Sequence, residues 1–200
     1  MDAIAVGNSH IVSFKHCIEA RGLEVKSFIK VDDKVGELRL VGERGGVSDL
    51  RAVPRREIMN LRPLVALLQY GGNELAKGWG AWKTAQSVVR FARELRSLGV
   101  RVVGVMSVLP REENMVISKV RYENEAHQFR RCVRGLVLPS ENIFVHPHKG
   151  FSYYLDDEGI QRPRPMTEWS WDGIHANKPF GRELYARSLK NAMNRALSML

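Results

Sequence analysis

Cysteine is scarce: Cys17 and Cys132 are the only two, and they lie far apart in the chain. That excludes a disulfide-stapled framework and any Cys-x-x-Cys redox or zinc motif, and an intracellular, reduced setting is expected. Long apolar runs are missing as well. No stretch approaches the roughly eighteen residues that a membrane helix needs. Met1-Asp2-Ala3-Ile4-Ala5-Val6 carries no basic segment ahead of its short apolar stretch, so a signal peptide is not expected. No repeat, low-complexity tract or linker divides the sequence, and a single domain over residues 1–200 is expected. Phosphate-cradling loops are absent too. Neither G-x-G-x-x-G nor G-x-x-x-x-G-K-[ST] occurs, which disfavours a nucleotide-binding protein.

What is present begins with charge. The net charge is +9, spread evenly as +5 over residues 1–100 and +4 over residues 101–200, with short clusters at Arg55-Arg56 and at Arg130-Arg131 with Arg134. Such a surface attracts polyanions, nucleic acid or an anionic membrane, in a salt-dependent way. The alternative is a solvated basic surface with no dedicated partner. At 44% hydrophobic and 26% charged, the composition suits a soluble globular chain able to bury a full central sheet.

Hydrophobic periodicity alternates between strand and helix. Ala3–Val6 is a short apolar strand, and residues 11–21 read as a helix closed by Gly22. Val25–Val31 alternates apolar and polar residues as a second strand would, with residues 37–41 a short decoration after it. Leu64–Leu68 is a continuous apolar run, as expected of a strand covered on both faces. Ala85, Val88, Val89, Ala92, Leu95 and Leu98 recur at helical spacing up to Gly99. Val100–Val108 is a β-branched strand, residues 115–136 a helix, Asn142–Val145 a fifth strand, and residues 184–197 a closing amphipathic helix. This order predicts an α/β fold: a three-layer α/β/α sandwich on a flavodoxin-like, five-stranded parallel sheet, with chemistry at the C-terminal strand ends.

Four motifs follow strands. In Val6-Gly7-Asn8-Ser9-His10 a serine stands at the N-terminus of a helix, where the dipole and free N–H groups favour developing negative charge; its ordinary role there is to cap the helix. Gly42-Glu43-Arg44-Gly45-Gly46-Val47-Ser48-Asp49 offers glycines that let a backbone amide approach a ligand, or simply a turn. In Gln69-Tyr70-Gly71-Gly72-Asn73-Glu74 the Asn73 amide can donate to an oxyanion, or serve as a turn residue. In Trp171-Asp172-Gly173-Ile174-His175 the carboxylate can accept from one ring nitrogen and leave the other as a base.

Taken together, the order Gly-x-Ser, loop glycine, Gly-x-Asn and Asp-x-x-His resembles the four blocks of the SGNH (GDSL-type) hydrolases, over nearly the whole chain. Ser107-Val108-Leu109-Pro110-Arg111 and Asp172-Gly173-Ile174-His175-Ala176-Asn177 look like a narrower branch, the esterase-like domains encoded in animal retroelements. The resemblance implies that Ser9 is the nucleophile, His175 its general base and Asp172 the residue that orients His175. It implies an oxyanion hole made of the Ser9 and Gly46 N–H groups and the Asn73 side chain. Gly46 is preferred to Gly45 because Gly-Val-Ser-Asp resembles the second block. The implied chemistry is cleavage of carboxylic esters, of lipid, sugar or other small-molecule origin, with no cofactor and no metal. An alternative is a catalytically weak module of the same fold that binds nucleic acid or anionic membrane through its basic surface, as part of a retroelement polyprotein. Two positions depart from the pattern: Asn8 and Glu74 stand where the family has aspartates, which puts fine positioning in question.

Other features have less specific readings. His10 could contact substrate or pack in the first helical turn. His146-Pro147-His148 offers too few ligands for a metal and reads as a rim contact or loop. Residues 150–163 read as an inserted hairpin, a wall or lid of the pocket or a hairpin packed on the body. Trp79, Trp82, Trp169 and Trp171 flank the third and fourth motifs, and some are expected to pack around the site.

Overall fold

The computed structural model describes residues 1–31, 33–42, 45 and 52–200, with residues 52 and 53 described by their backbone alone. Five parallel strands form the central sheet: β1 (Ala3–Gly7), β2 (Leu38–Gly42), β3 (Val65–Gln69), β4 (Val102–Met106) and β5 (Ile143–His146). Their order, β2-β1-β3-β4-β5, is the flavodoxin-like winding, so the crevice beyond the C-terminal ends of β1 and β3 is where a ligand is expected.

The two faces of the sheet bury two separate cores, and the strands assign side chains to them alternately. Ile4, Val6, Ala66, Leu68, Val103 and Val105 face one core; Ala3, Ala5, Val65, Leu67, Val102 and Met106 face the other. Burial on both sides is why β3 reads as an unbroken apolar run. The first core is roofed by α3 (Ala52–Leu61), α4 (Gly72–Ala76), α5 (Ala81–Ser97) and α6 (Lys119–Leu136). The second is roofed by α1 (Ser9–Glu19), α2 (Val25–Ile29), α7 (Lys149–Ser152) and α8 (Pro179–Leu197). A small antiparallel hairpin, β6 (Tyr153–Leu155) and β7 (Gln161–Pro163), stands where the insertion was expected, all six residues exposed.

The second strand lies elsewhere than its alternation suggests. Residues 25–29 form α2, and the strand beside β1 is Leu38–Gly42, paired in register from Ala3↔Leu38 to Gly7↔Gly42. Val25, Phe28 and Ile29 all pack on the second core, a spacing of three and four that one face of a helix provides, whereas a strand would turn Phe28 away from Val25 and Ile29. Phe28 meets Phe14 of α1 edge-on, with ring centroids 5.7 Å apart. Packing thus decided between two periods that so short a segment could not separate. As an edge strand, β2 carries Arg39 in ion pairs with Glu37 and Glu57, charges that suit an unpaired edge.

Candidate active site

Each of the described motif residues sits at the C-terminal side of the sheet. Gly7 ends β1, and its lack of a side chain is required: a Cβ there would stand 2.7 Å from the Gln69 carbonyl oxygen and 2.8 Å from Ile11. The close approach lets β1, β3 and the first turn of α1 meet where Ser9 begins the helix. Asn8, buried, is the residue that caps α1: its side chain accepts from the His10 N–H at 3.3 Å, and its carbonyl from the Ile11 N–H at 3.0 Å. Ser9 is thereby relieved of the capping role. Its own backbone N–H has no partner among the described residues, at the positive end of the helix dipole.

The last motif forms a compact loop before α8. The Asp172 carboxylate takes four bonds on its two oxygens. Oδ1 accepts from the His175 N–H (2.8 Å), the Ile174 N–H (3.0 Å) and the Ser170 hydroxyl (3.1 Å); Oδ2 meets His175 Nδ1 at 2.7 Å. Gly173 makes the turn possible with φ +66°, the left-handed region. Burial alone would raise the Asp172 carboxyl, but the bonds from the His175 N–H, the His175 ring and the Ile174 N–H outweigh it and hold the group well below the usual carboxylate range. An ionised Asp172 fixes a hydrogen on His175 Nδ1 and leaves Nε2 as the basic nitrogen. Nε2 is buried and has no hydrogen-bond partner among the described residues.

His10 joins the two motifs. Its ring lies 5.2 Å from that of His175, centroid to centroid. Burial, the His175 ring and the Arg111 guanidinium together push His10 down to about 3, so it is neutral at physiological pH. It is both a packed first-turn residue and a neighbour of the dyad. Arg111 itself, half-buried in the loop after β4, makes no hydrogen bond or ion pair among the described residues.

Asn73 stands in the first turn of α4 rather than in a plain turn, and its side-chain amide donates to the Gly45 carbonyl at 2.7 Å. This bond ties the third motif to the second and uses one of the amide's two hydrogens, leaving the other free to donate. Gly46 lies outside the described residues. Trp169 is fully buried while Trp171, two residues on, is 74% exposed beside Asp172, its ring 4.0 Å from Lys178 Nζ. Trp79 is half-buried under Lys83 and Trp82 is exposed.

His148 lies in the short loop after β5, as expected, but its side chain is no rim contact. It is buried, with Nε2 2.7 Å from Gln69 Oε1 and Nδ1 2.7 Å from Ser188 Oγ. Gln69 in turn donates its amide to the Ser107 carbonyl, and its backbone carbonyl accepts from the Asn8 N–H. This network, which sequence reasoning missed, reaches from α8 through β3 to the residue before Ser9. A polar Gln closing an otherwise apolar strand was its one visible signal.

Comparison with solved structures places this architecture among known proteins. A GDSL-like lipase from Bacteroides thetaiotaomicron superposes with a TM-score of 0.69 at 16% identity, over 98% of this chain and 88% of that one. An acetylxylan esterase from Geobacillus stearothermophilus gives 0.66 at 13% identity, over 96% and 93%. A G-D-S-L family protein from Desulfitobacterium hafniense gives 0.65 at 13%, over 96% and 98%. Structures of that esterase include catalytic mutants in which a serine or a histidine is replaced by alanine. No protein-family model and no curated protein sequence matches the chain. At these identities the likeness establishes a common fold.

Proposed function

We propose that the protein is a serine hydrolase of the SGNH type that cleaves carboxylic esters, with Ser9 as nucleophile, His175 as general base and Asp172 as its orienting carboxylate. The observation that carries this reading is the Asp172–His175 pair, whose free Nε2 lies next to the first turn of α1, where Ser9 stands uncommitted to capping. A fold shared with lipases and acetyl esterases supports the same reading.

In the first half-reaction Ser9 Oγ attacks the ester carbonyl and His175 Nε2 takes its proton. The carbonyl oxygen becomes an oxyanion, received by the Ser9 N–H and the free hydrogen of the Asn73 amide, with the Gly46 N–H as third donor. Collapse breaks the bond to the alkoxide, which leaves as alcohol with the proton from His175. Water then attacks the acyl-serine, giving its proton to His175 and releasing the acid while Oγ recovers its hydrogen. Asp172 stays ionised throughout and stabilises the imidazolium that forms in each half.

Hydrolysis of p-nitrophenyl acetate by the wild type and by Ser9→Ala tests the assignment. The variant is expected to fold normally and to lose at least about a thousandfold in kcat. Undiminished turnover in Ser9→Ala would assign the chemistry to another residue.

A further inference from the structure

Next to the dyad, on the β4–β5 side of the sheet, lies a cavity of about 450 Å³, in the size range of small-molecule sites. One wall is a face of α6, where Lys119, Tyr122, Glu123, Ala126, His127 and Arg130 recur at spacings of three and four. The other walls are the loop after β4, the base of the β6–β7 hairpin, and the segment that contains Met166 and Trp169. The cavity shares two stretches of chain with the candidate active site. Pro110 in its wall precedes Arg111, whose charge acts on both His10 beside Ser9 and Tyr122 in the wall. The Glu112 N–H donates to the Gly173 carbonyl at 2.9 Å, and Trp169 stands three residues before Asp172.

The chemistry of the lining is one-sided. Lys119, Arg130, Lys149 and Arg164 face a single acid, Glu123. Lys119 is paired with Glu112 and Arg164 with Glu168, but Arg130 and Lys149 make no ion pair or hydrogen bond among the described residues. Arg130 is half-buried, so a cation partly removed from water stands without an anion. Two polar atoms in the same wall also lack a partner among the described residues: Ser107 Oγ, in a residue 4% exposed, and Trp169 Nε1, in a fully buried one. Interleaved with the charges, Tyr122, Phe151, Pro165 and Met166 supply apolar surface.

We propose that this cavity binds an anionic group, phosphate or carboxylate, carried on an apolar body, and that it thereby selects anionic esters as substrates. Arg130 and Lys149 hold the anion, and the apolar lining residues take the body. The selection of substrates rests on the hydrolase reading above; the binding does not. Arg130 is here a specificity residue, which acts on the anion and not on the ester carbonyl.

Two measurements separate the claims. The first uses Ser9→Ala and titrates phenyl phosphate against tryptophan fluorescence, with phenol and inorganic phosphate as probes of each half alone. Saturable, salt-sensitive binding of phenyl phosphate is expected, tighter than either fragment and weakened tenfold or more by Arg130→Ala or Lys149→Ala. No saturable binding, or binding indifferent to both substitutions, overturns the site. The second compares kcat/KM for mono-p-nitrophenyl glutarate and p-nitrophenyl pentanoate. The wild type is expected to prefer the anionic ester tenfold or more, with the preference falling to near unity in Arg130→Ala. No preference in an enzyme that does cleave the neutral ester overturns substrate selection. Inertness to both esters, with phenyl phosphate still bound, counts against the hydrolase reading and leaves the anion site standing.

Discussion

Two histidines near the C-terminal strand ends show how the same side chain is put to opposite uses. His148 is buried with both ring nitrogens engaged, one by Ser188 and one by Gln69, and no charge is among its hydrogen-bond partners. Burial comes first among the causes that hold it well below the ordinary histidine value, followed by the nearby His146 and His10, so it is locked neutral. His175 has one nitrogen on an ionised carboxylate and the other without a partner among the described residues. A ring whose every bond is made can only hold a structure together. A ring with a charged partner on one side and a vacant basic nitrogen on the other can accept a proton and be stabilised while it carries it.

Three substitutions sharpen this contrast. The largest expected effect is that of His175→Ala, which should match Ser9→Ala in kcat, as loss of either member of one proton-transfer unit disables the whole. Asp172→Asn leaves the loop's outline but removes the charge that sets the His175 tautomer. Ester turnover should fall by about a hundredfold to ten-thousandfold, with little change in Tm. His148→Phe should show the reverse pattern. It orphans the buried Ser188 hydroxyl, at about 1–3 kcal/mol, and leaves Gln69 Oε1 only its 3.4 Å bond from the Tyr185 hydroxyl, while kcat/KM measured on the folded fraction stays within about tenfold. Urea denaturation and steady-state kinetics on the same preparations separate the two classes.

Acid should expose the difference more gently. His10 and His148 are neutral in the folded protein, with His10 lowered to about 3, whereas both take up protons near pH 6.5 once unfolded. Because the unfolded state binds more protons below that pH, stability is level above about pH 6.5 and falls as the pH drops beneath it, by up to about 1.4 kcal/mol per pH unit for each histidine. Denaturation midpoints between pH 7.5 and 4.5 should follow this slope, and His148→Phe should flatten it by about one proton's share.

Much of this arrangement was legible in the residues. β1, β3, β4 and β5 lie within two residues of their apolar runs, because strands buried on both faces leave little else for such sequences to do. The Asp-x-x-His spacing likewise anticipated a bond within one turn of chain. Residues 25–29 are helical, and the second strand falls on 38–42, read from the sequence as a short decoration, because so short a segment as 25–31 admits both periods and contact with α1 and α8 made the choice. The expectation for Gly46 falls outside the described residues. His148 looked peripheral because its partners, Gln69 and Ser188, come from β3 and α8, and no local pattern brings such distant positions together. The cavity was partly visible: Lys119, Tyr122, Glu123, Ala126, His127 and Arg130 mark a helical face, but only the hairpin and Trp169 opposite make it a pocket.

The central claim is that His175 activates Ser9, and reaction with a fluorophosphonate probe tests it most directly. Intact-protein and peptide mass spectrometry on the wild type, Ser9→Ala and His175→Ala should find one adduct on Ser9 in the wild type, none there in the first variant, and labelling slowed by about a hundredfold or more in the second. A well-folded wild type that takes no label, or one whose label lies on another residue, would contradict the account.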